Sequence, residues 1–253
     1  MKGLRSVVTG GAGFIGSNLV DHLVRVGHKV IVLDNFVSGK KSNLTHHKKK
    51  DVKIKRIDIS KEKNLEKYFN RVDYVFHLAG LAEIIPSIKN PKKYFNVNVL
   101  GTLKVLEAAK KAKVKKLIYA ASSSCYGSPK NFPTSEKEKI DIKHPYGLTK
   151  FLGEQLVIKY ATNFEMPNIS FRFFNVYGPR LNMSGQYSAV FGNFLKQKRS
   201  NKPLTIVGSG KQTRDFIHVE DLINAFIKVI KSRLVNKIYN LGSGKEVSIN
   251  KIA

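Results

Sequence analysis

Apolar residues fall along the chain in two alternating patterns. Ser6-Val7-Val8, Lys29–Leu33 (KVIVL), Val52–Ile57, Asp73–Leu78 (DYVFHL), Lys116–Ala121 (KLIYAA) and Ile169–Phe174 are short and nearly continuous in apolar character. Runs of that length, apolar on both faces, predict strands of a sheet covered on both sides. Between them lie Ser17–Val26, Asn98–Ala112, Tyr146–Ala161 and Val219–Lys231, read as helices, and Ile238–Leu241 predicts a late strand. Strand and helix alternate from the start.

Such alternation predicts an α/β protein, a doubly wound parallel sheet of Rossmann type. After Asn175 the texture changes: residues 177–216 carry Gly, Pro, Asn and Ser and read as irregular connections in a smaller lobe. The expected division is a first domain at 1–176, with 217–243 returning to it. Residues 177–216 and 244–253 then form a second lobe, incomplete where the chain stops at Ala253. There are no internal repeats.

Composition narrows the class. Of 253 residues 42% are hydrophobic, which excludes a disordered chain. The single cysteine, Cys125, excludes a disulfide scaffold and a cysteine-based zinc site; no metal is expected. No apolar run approaches the roughly 18 residues of a membrane span. Met1–Val8 enters a strand directly, leaving no room for a signal peptide, so a soluble cytoplasmic protein is expected.

Charge raises a second question. Lys and Arg number 45 against 18 Asp and Glu, a net +27, which brings nucleic acid into consideration. Yet 36 of the 45 are scattered lysines, whereas base-reading and bidentate phosphate sites favour Arg. The densest run, His46-His47-Lys48-Lys49-Lys50, has no interleaved aromatics to stack bases. A solvated lysine surface is the simpler reading, and no specific nucleic-acid partner is expected.

Thr9-Gly10-Gly11-Ala12-Gly13-Phe14-Ile15-Gly16 follows the first strand and opens the first helix. This context suits a dinucleotide site. Gly10 allows the tight turn, Gly13 lets backbone approach a pyrophosphate, and Gly16 lets the helix pack on the sheet. The phosphates would sit on the positive helix end. Asp34, ending the second strand, is placed for the adenine ribose hydroxyls; its charge favours NAD over NADP, although Lys40 and Lys41 lie nearby. Farther on, Tyr146 and Lys150 are four residues apart on one helix face. An ammonium beside a phenol stabilises phenolate, giving a general base. Ala121-Ser122-Ser123-Ser124-Cys125-Tyr126-Gly127, at a strand end, offers a hydroxyl to share the proton.

These three motifs, in this order, resemble the extended short-chain dehydrogenase/reductase family of NAD-dependent nucleotide-sugar epimerases and dehydratases. The resemblance covers essentially all 253 residues. Asp34-Asn35-Phe36-Val37-Ser38-Gly39, Asp58-Ile59, His77-Leu78-Ala79-Gly80, Asn98-Val99-Leu100-Gly101-Thr102, the 172–180 segment RFFNVYGPR and the 212–219 segment QTRDFIHV also match it. The resemblance implies an NAD-binding first domain and a nucleotide-sugar lobe. Cofactor contacts would come from Gly10, Gly13, Phe14, Ile15, Gly16, Asp34, Asn35, Ser38, Gly39, Asp58, Ile59, Leu78, Ala79, Gly80, Asn98, Tyr146, Lys150 and Phe173. Asp58 and Ile59 would border the adenine, Asn98 the nicotinamide half, and Lys150 the ribose. Asn175 and Arg214 match positions that hold the diphosphate, and Ala82, Ser122, Ser124, Tyr146 and Val190 complete the implied substrate set. Sugar contacts would come from 82–87, 186–191 and the part beyond Ala253.

Counting back four residues from Tyr126 places Ser122 at the family's catalytic Ser/Thr position. Sugar 4,6-dehydratases carry an acid in the next two positions, and UDP-glucuronate decarboxylases carry Glu there; this chain has Ser123 and Ser124. The pattern looks most like the UDP-sugar 4-epimerases. By resemblance, Tyr146 removes the C4 hydroxyl proton through Ser122, and hydride leaves C4 for NAD and returns on the other face. The substrate would be a UDP-hexose, UDP-N-acetylhexosamine or UDP-uronate. Alternatives are a reductase or 3,5-epimerase of the same family, or a non-catalytic lysine-rich Rossmann protein that binds nucleic acid. Cys125 reads as small core filler, and His77, His144 and His218 as structural histidines. The helices at 98–112 and 148–161 resemble those that pair in family homodimers, so a homodimer is expected. Family members usually continue past the position of Ala253.

Overall fold

The computed structural model describes residues 3–181 and 190–253. Arg5–Thr9 (β1) enters a glycine turn and the helix Phe14–Arg25 (α1), followed by Lys29–Asp34 (β2), Val52–Arg56 (β3) and Tyr74–His77 (β4). Two short helices, Ile84–Lys89 (α2) and Pro91–Phe95 (α3), lead through a π turn at Asn96–Leu100 into Gly101–Lys111 (α4). Next come Lys116–Ser122 (β5), Pro145–Phe164 (α5), Asn168–Phe173 (β6), Asn175–Tyr177 (β7) and Val190–Arg199 (α6). Thr213–His218 (β8), Val219–Lys231 (α7), Lys237–Leu241 (β9), Glu246–Ser248 (β10) and Ile249–Ile252 (α8) follow.

Seven strands form one sheet in the order β3-β2-β1-β4-β5-β6-β9, every neighbouring pair parallel. The fold is therefore the doubly wound Rossmann type. Strand side chains alternate between two cores, which is why the strand sequences are apolar at consecutive positions. Val8, Phe76, Ile118 and Ile169 meet Leu19, Val20 and Leu23 of α1 and Leu222, Ile223, Phe226 and Ile230 of α7. On the other face Val7, Val75, Leu117 and Tyr119 meet Val105, Leu106 and Ala109 of α4 and Val157 and Tyr160 of α5. Among the described residues no helix is long and apolar enough to cross a membrane.

A second sheet, β10-β8-β7, pairs Asn175–Tyr177 with Phe216–His218 and Thr213–Asp215 with Glu246–Ser248. The irregular character expected for 177–216 thus needs correction, because that stretch holds α6 and most of β8. Phe191 of α6 stacks on Tyr177 at 4.9 Å and meets Phe216 edge-on at 5.0 Å, seating the helix on the second sheet. The helix expected at 98–112 is also preceded by helical chain from Pro91. Asn90 caps that start by accepting the Lys93 N–H, with proline at the first helical position.

Candidate active site

In a parallel sheet all strands end at one edge, and the loops leaving β1 to β6 build a cleft there of about 740 Å³. The glycine turn forms its floor. Gly10 sits at φ +70°, and a Cβ there would lie 2.8 Å from the Ala79 nitrogen. A Cβ on Gly16 would overlap the Gly10 carbonyl, so both positions need glycine. Gly13 caps α1 without a side-chain hydrogen bond, and the first turn of α1 holds no acid. Its free N–H groups and the positive end of the helix are left for an anion. Asp34, 6% exposed, accepts from the Ala12 N–H at 2.9 Å and the Phe36 N–H at 2.8 Å while lining the cleft.

Gly10, Gly13, Phe14, Ile15, Gly16, Asp34, Asn35, Ser38, Asp58 and Ile59 all line this cleft. So do Leu78, Ala79, Gly80, Ala82, Tyr146, Lys150 and Phe173. At Asp58 burial pushes the carboxyl up. Hydrogen bonds from the Ser60 hydroxyl and N–H and from Asn35, with Lys61 nearby, outweigh that and hold it below the usual carboxylate range.

Two expected cofactor residues lie off the cleft wall. Asn98 is 1% exposed; it accepts from the Leu81 N–H at 2.8 Å and donates to the Leu81 carbonyl and the Thr149 hydroxyl, both at 3.0 Å. It ties the loop after β4 to α5 from behind. Gly39 packs against Ala12 and the Asp34 carboxylate, where a Cβ would come within 3.0 Å of both.

At the other end of the cleft, the half-buried Tyr146 donates its hydroxyl proton to Ser122 Oγ at 3.1 Å, and Ser122 Oγ also accepts from the Ser124 N–H at 3.2 Å. Ser87, in a segment expected to contact sugar, instead accepts the Tyr146 N–H at 3.0 Å. His144 caps α5 by accepting from the Gly147 N–H at 3.1 Å and stacks on the Tyr146 ring, the planes 2° apart. Lys150 lies one turn on, 8% exposed, its ammonium 4.4 Å from the centre of the Tyr119 ring.

The expected electrostatics need correction here. Burial pushes Tyr146 up despite the Ser122 hydrogen bond, and it pulls Lys150 down to about 7, with Glu154 opposing. In this structure the cation rests over Tyr119, and desolvation dominates at both groups.

A hidden brace holds this helix. Glu154, one further turn along α5, receives both Arg172 Nε at 2.9 Å and Nη2 at 2.7 Å; the side chains are 1% and 4% exposed. Arg172 Nη1 donates to the Tyr126 hydroxyl at 2.7 Å, which donates to Asn240 Oδ1 at 2.8 Å. The sequence reading passed over Glu154, although an acid four residues after Lys150 continues the Tyr146–Lys150 face. It also left out Asn90, Lys92, Lys93, Asn96 and Val97, which line the cleft. The Asn90-Pro91 helix start was the available signal.

Asn175 and Arg214 are exposed and lie on adjacent strands of the second sheet. Asn175 donates to the Asp215 carbonyl at 2.8 Å, and Arg214 to the Thr213 carbonyl at 2.7 Å. Phe173 pairs in register with Ser122, so Asn175 follows two residues beyond the strand end beside the serine. Val190 begins α6, and Phe191 is committed to the packing described above; residues 186–189 lie outside the described residues. His77 bonds Thr9 at 2.7 Å and Thr102 at 2.9 Å, and burial lowers it to about 3, a satisfied core histidine. Cys125 is 2% exposed, its thiol pushed up by burial to about 11.

Residues 6–242 match the family model described as the NAD dependent epimerase/dehydratase family. A UDP-N-acetyl-alpha-D-glucosaminuronate decarboxylase of Bacillus cytotoxicus is 34% identical over 254 residues, covering 98% of this chain and 78% of that protein. A UDP-glucose 4-epimerase of Mycolicibacterium smegmatis is 34% identical over 256 residues, covering 98% and 80%. Among solved structures, the UDP-N-acetylglucosamine 4-epimerase of Methanobrevibacter ruminantium in complex with UDP-N-acetylmuramic acid superposes with a TM-score of 0.95 at 35% identity. It matches 100% of this chain and 80% of its own.

Proposed function

Because the chain belongs to the NAD dependent epimerase/dehydratase family, we propose that it inverts C4 of a UDP-sugar, using NAD that it keeps and regenerates. The cleft suits that cofactor: glycines at 10 and 16 where a side chain would collide, an uncapped helix end for the pyrophosphate, and Asp34 at the end of β2. NAD supplies a reversible hydride acceptor there. Gly10, Gly13, Phe14, Ile15 and Gly16 hold its phosphate half, and Asp34, Asn35, Ser38, Asp58 and Ile59 its adenosine half. Leu78, Ala79, Gly80 and Phe173 flank the remainder.

The observation that carries the reading is the Tyr146–Ser122 hydrogen bond at 3.1 Å, at the mouth of β5, with Lys150 one turn along the same helix. Tyr146 takes the proton from the sugar hydroxyl at C4 and later returns one, Ser122 bridging the transfer. Lys150, one turn along the helix, holds the ribose. Ala82, Ser124 and Val190 border the sugar, and Asn175 and Arg214 grip the diphosphate from the second sheet.

The relatives include a decarboxylase as well as epimerases, and the cleft favours the epimerase. Its lining carboxylates are Asp34 and Asp58, both at the adenosine end, whereas the positions after Ser122 are Ser123 and Ser124. Among the described residues, no carboxylate lines the cleft at its Tyr146 end to drive elimination or decarboxylation.

A homodimer through α4 and α5 belongs to the same proposal. Leu100, Leu148 and Phe164, on or beside those helices, are each more than 40% exposed. Sedimentation as a monomer at micromolar concentration would remove that part. A cytoplasmic site of action fits a chain of 253 residues with one cysteine and hence no internal disulfide.

The test is Tyr146→Phe. Turnover of UDP-sugars should fall by at least about a hundredfold while NAD remains bound in the purified protein. Unchanged turnover would end the role assigned to that hydroxyl.

A further inference from the structure

Three segments meet on the α1 side of the molecule, away from the cleft. Asp21 comes from α1, His46 and His47 from the β2–β3 connection, and Arg180 from the turn after β7. The two imidazoles present the same atom to the same oxygen: His46 Nε2 lies 3.0 Å and His47 Nε2 2.7 Å from Asp21 Oδ1. Their ring centres are 4.0 Å apart, and the three donor atoms lie within 4.8 Å of one another. Sequence reading noticed these histidines only as the start of a basic run, and the cleft chemistry makes no use of them.

Two imidazole nitrogens and one carboxylate oxygen are the donor set of a zinc-type ion. Zinc bonds of about 2.0–2.1 Å place tetrahedral donors roughly 3.3 Å apart. The N···O contacts therefore need to open by only a few tenths of an ångström. His46, its side chain 52% exposed, is free to open by the roughly 0.3 Å that its contact needs, and the His47 contact, between side chains 9% and 22% exposed, must open by roughly 0.6 Å. Each neutral imidazole would carry its proton on Nδ1, freeing Nε2 for the ion.

The other carboxylate oxygen is already fixed. Arg180 Nη2 donates to Asp21 Oδ2 at 2.6 Å, the kind of outer contact that orients a ligating carboxylate. Asn18 Nδ2 donates to the Pro179 carbonyl at 3.0 Å, so the turn after β7 is tied twice to α1. Arg180 and the following lysines oppose a cation by charge, an opposition that salt weakens at the solvated groups. Coordination at roughly 2 Å dominates over them.

We propose that Asp21, His46 and His47 form a surface binding site for one divalent transition ion of the zinc class. The ion would lock the Asp21 carboxylate in the orientation that grips Arg180, bracing the chain where it leaves β7 for α6. The site is independent of the NAD cleft and stands or falls separately from the epimerase reading.

The test uses the chelator-treated full chain titrated with Zn²⁺ by calorimetry, and with Co²⁺ by visible absorption. One Zn²⁺ per chain, tetrahedral Co²⁺ bands and a raised Tm are expected. His46→Ala and the double variant His46→Ala/His47→Ala should weaken Zn²⁺ binding by at least about tenfold and remove the Tm rise. His22→Ala and His218→Ala should leave both unchanged. His46 is exposed, so its replacement leaves the fold intact. Absence of Zn²⁺ binding, or affinity that survives loss of both histidines, would overturn the proposal.

Discussion

Replacing Glu154 with Gln perturbs both the fold and the chemistry through one atom pair. The Arg172 side chain is 4% exposed and would keep only the Tyr126 hydroxyl and the Glu136 carbonyl as charge-free partners, beside whatever the amide oxygen accepts. Breaking a buried pair from one side costs about 3–5 kcal/mol, because the remaining charge stays buried. At roughly 2–4 °C per kcal/mol for a domain of this size, Tm should fall by roughly 6–20 °C. The apolar double variant Glu154→Leu/Arg172→Met should recover most of that loss. The second effect is catalytic. Glu154 raises Lys150 against the desolvation that brings it to about 7, so losing the negative charge moves Lys150 further down. If activity needs the charged ammonium, the alkaline limb of kcat/KM shifts to lower pH. Thermal unfolding and a pH–rate profile measure both. A stability loss under about 1 kcal/mol with an unmoved alkaline limb would refute the reasoning.

Gly10→Ala adds left-handed strain of roughly 1–2 kcal/mol and a Cβ 2.8 Å from the Ala79 nitrogen; NAD retention in the purified protein should be lost, which mass spectrometry of the acid-released nucleotide reads directly. Ser122→Ala removes the bridge at 3.1 Å from Tyr146, and kcat should fall about 10²–10⁴-fold with KM little changed, as initial rates would show. His77 is held neutral down to about pH 3, whereas an unfolded histidine takes up a proton near 6.5. The unfolded state therefore binds more protons in that window, and stability falls as pH drops from about 6.5 towards 3. The loss reaches about 5 kcal/mol at most; urea unfolding across that range should show a shallower acid slope in His77→Gln.

What the sequence made legible was what short stretches decide alone. Continuous apolar runs such as KVIVL, the glycine turn after β1 and the Tyr146–Lys150 spacing each specify local geometry, and the sheet edge then gathers them. What stayed hidden depends on packing between distant segments. Asn98 belongs to a matching motif, but its amide is consumed by Leu81 and Thr149, a partnership visible only once the loop after β4 is folded over it. Lys150 sits four residues from Tyr146 as expected, yet burial over Tyr119 sets its protonation more than its neighbour does. Helix α6 was missed because the Gly, Pro and Asn residues of its stretch obscure a helix whose Phe191 finds its seat on Tyr177 and Phe216. Lys92 and Lys93 reach the cleft through a five-residue helix too short for periodicity to reveal.

The central claim is C4 inversion by a hydride that leaves the sugar and returns to it on the same protein. Its most direct measurement is proton NMR of UDP-glucose, UDP-N-acetylglucosamine and UDP-glucuronate incubated with the protein in D₂O, without added reductant. The account predicts that one of them is converted to its C4 epimer with no deuterium at C4 and no change in total reduced cofactor. Release of CO₂, deuterium entering the sugar ring, or net consumption of reduced cofactor would contradict it.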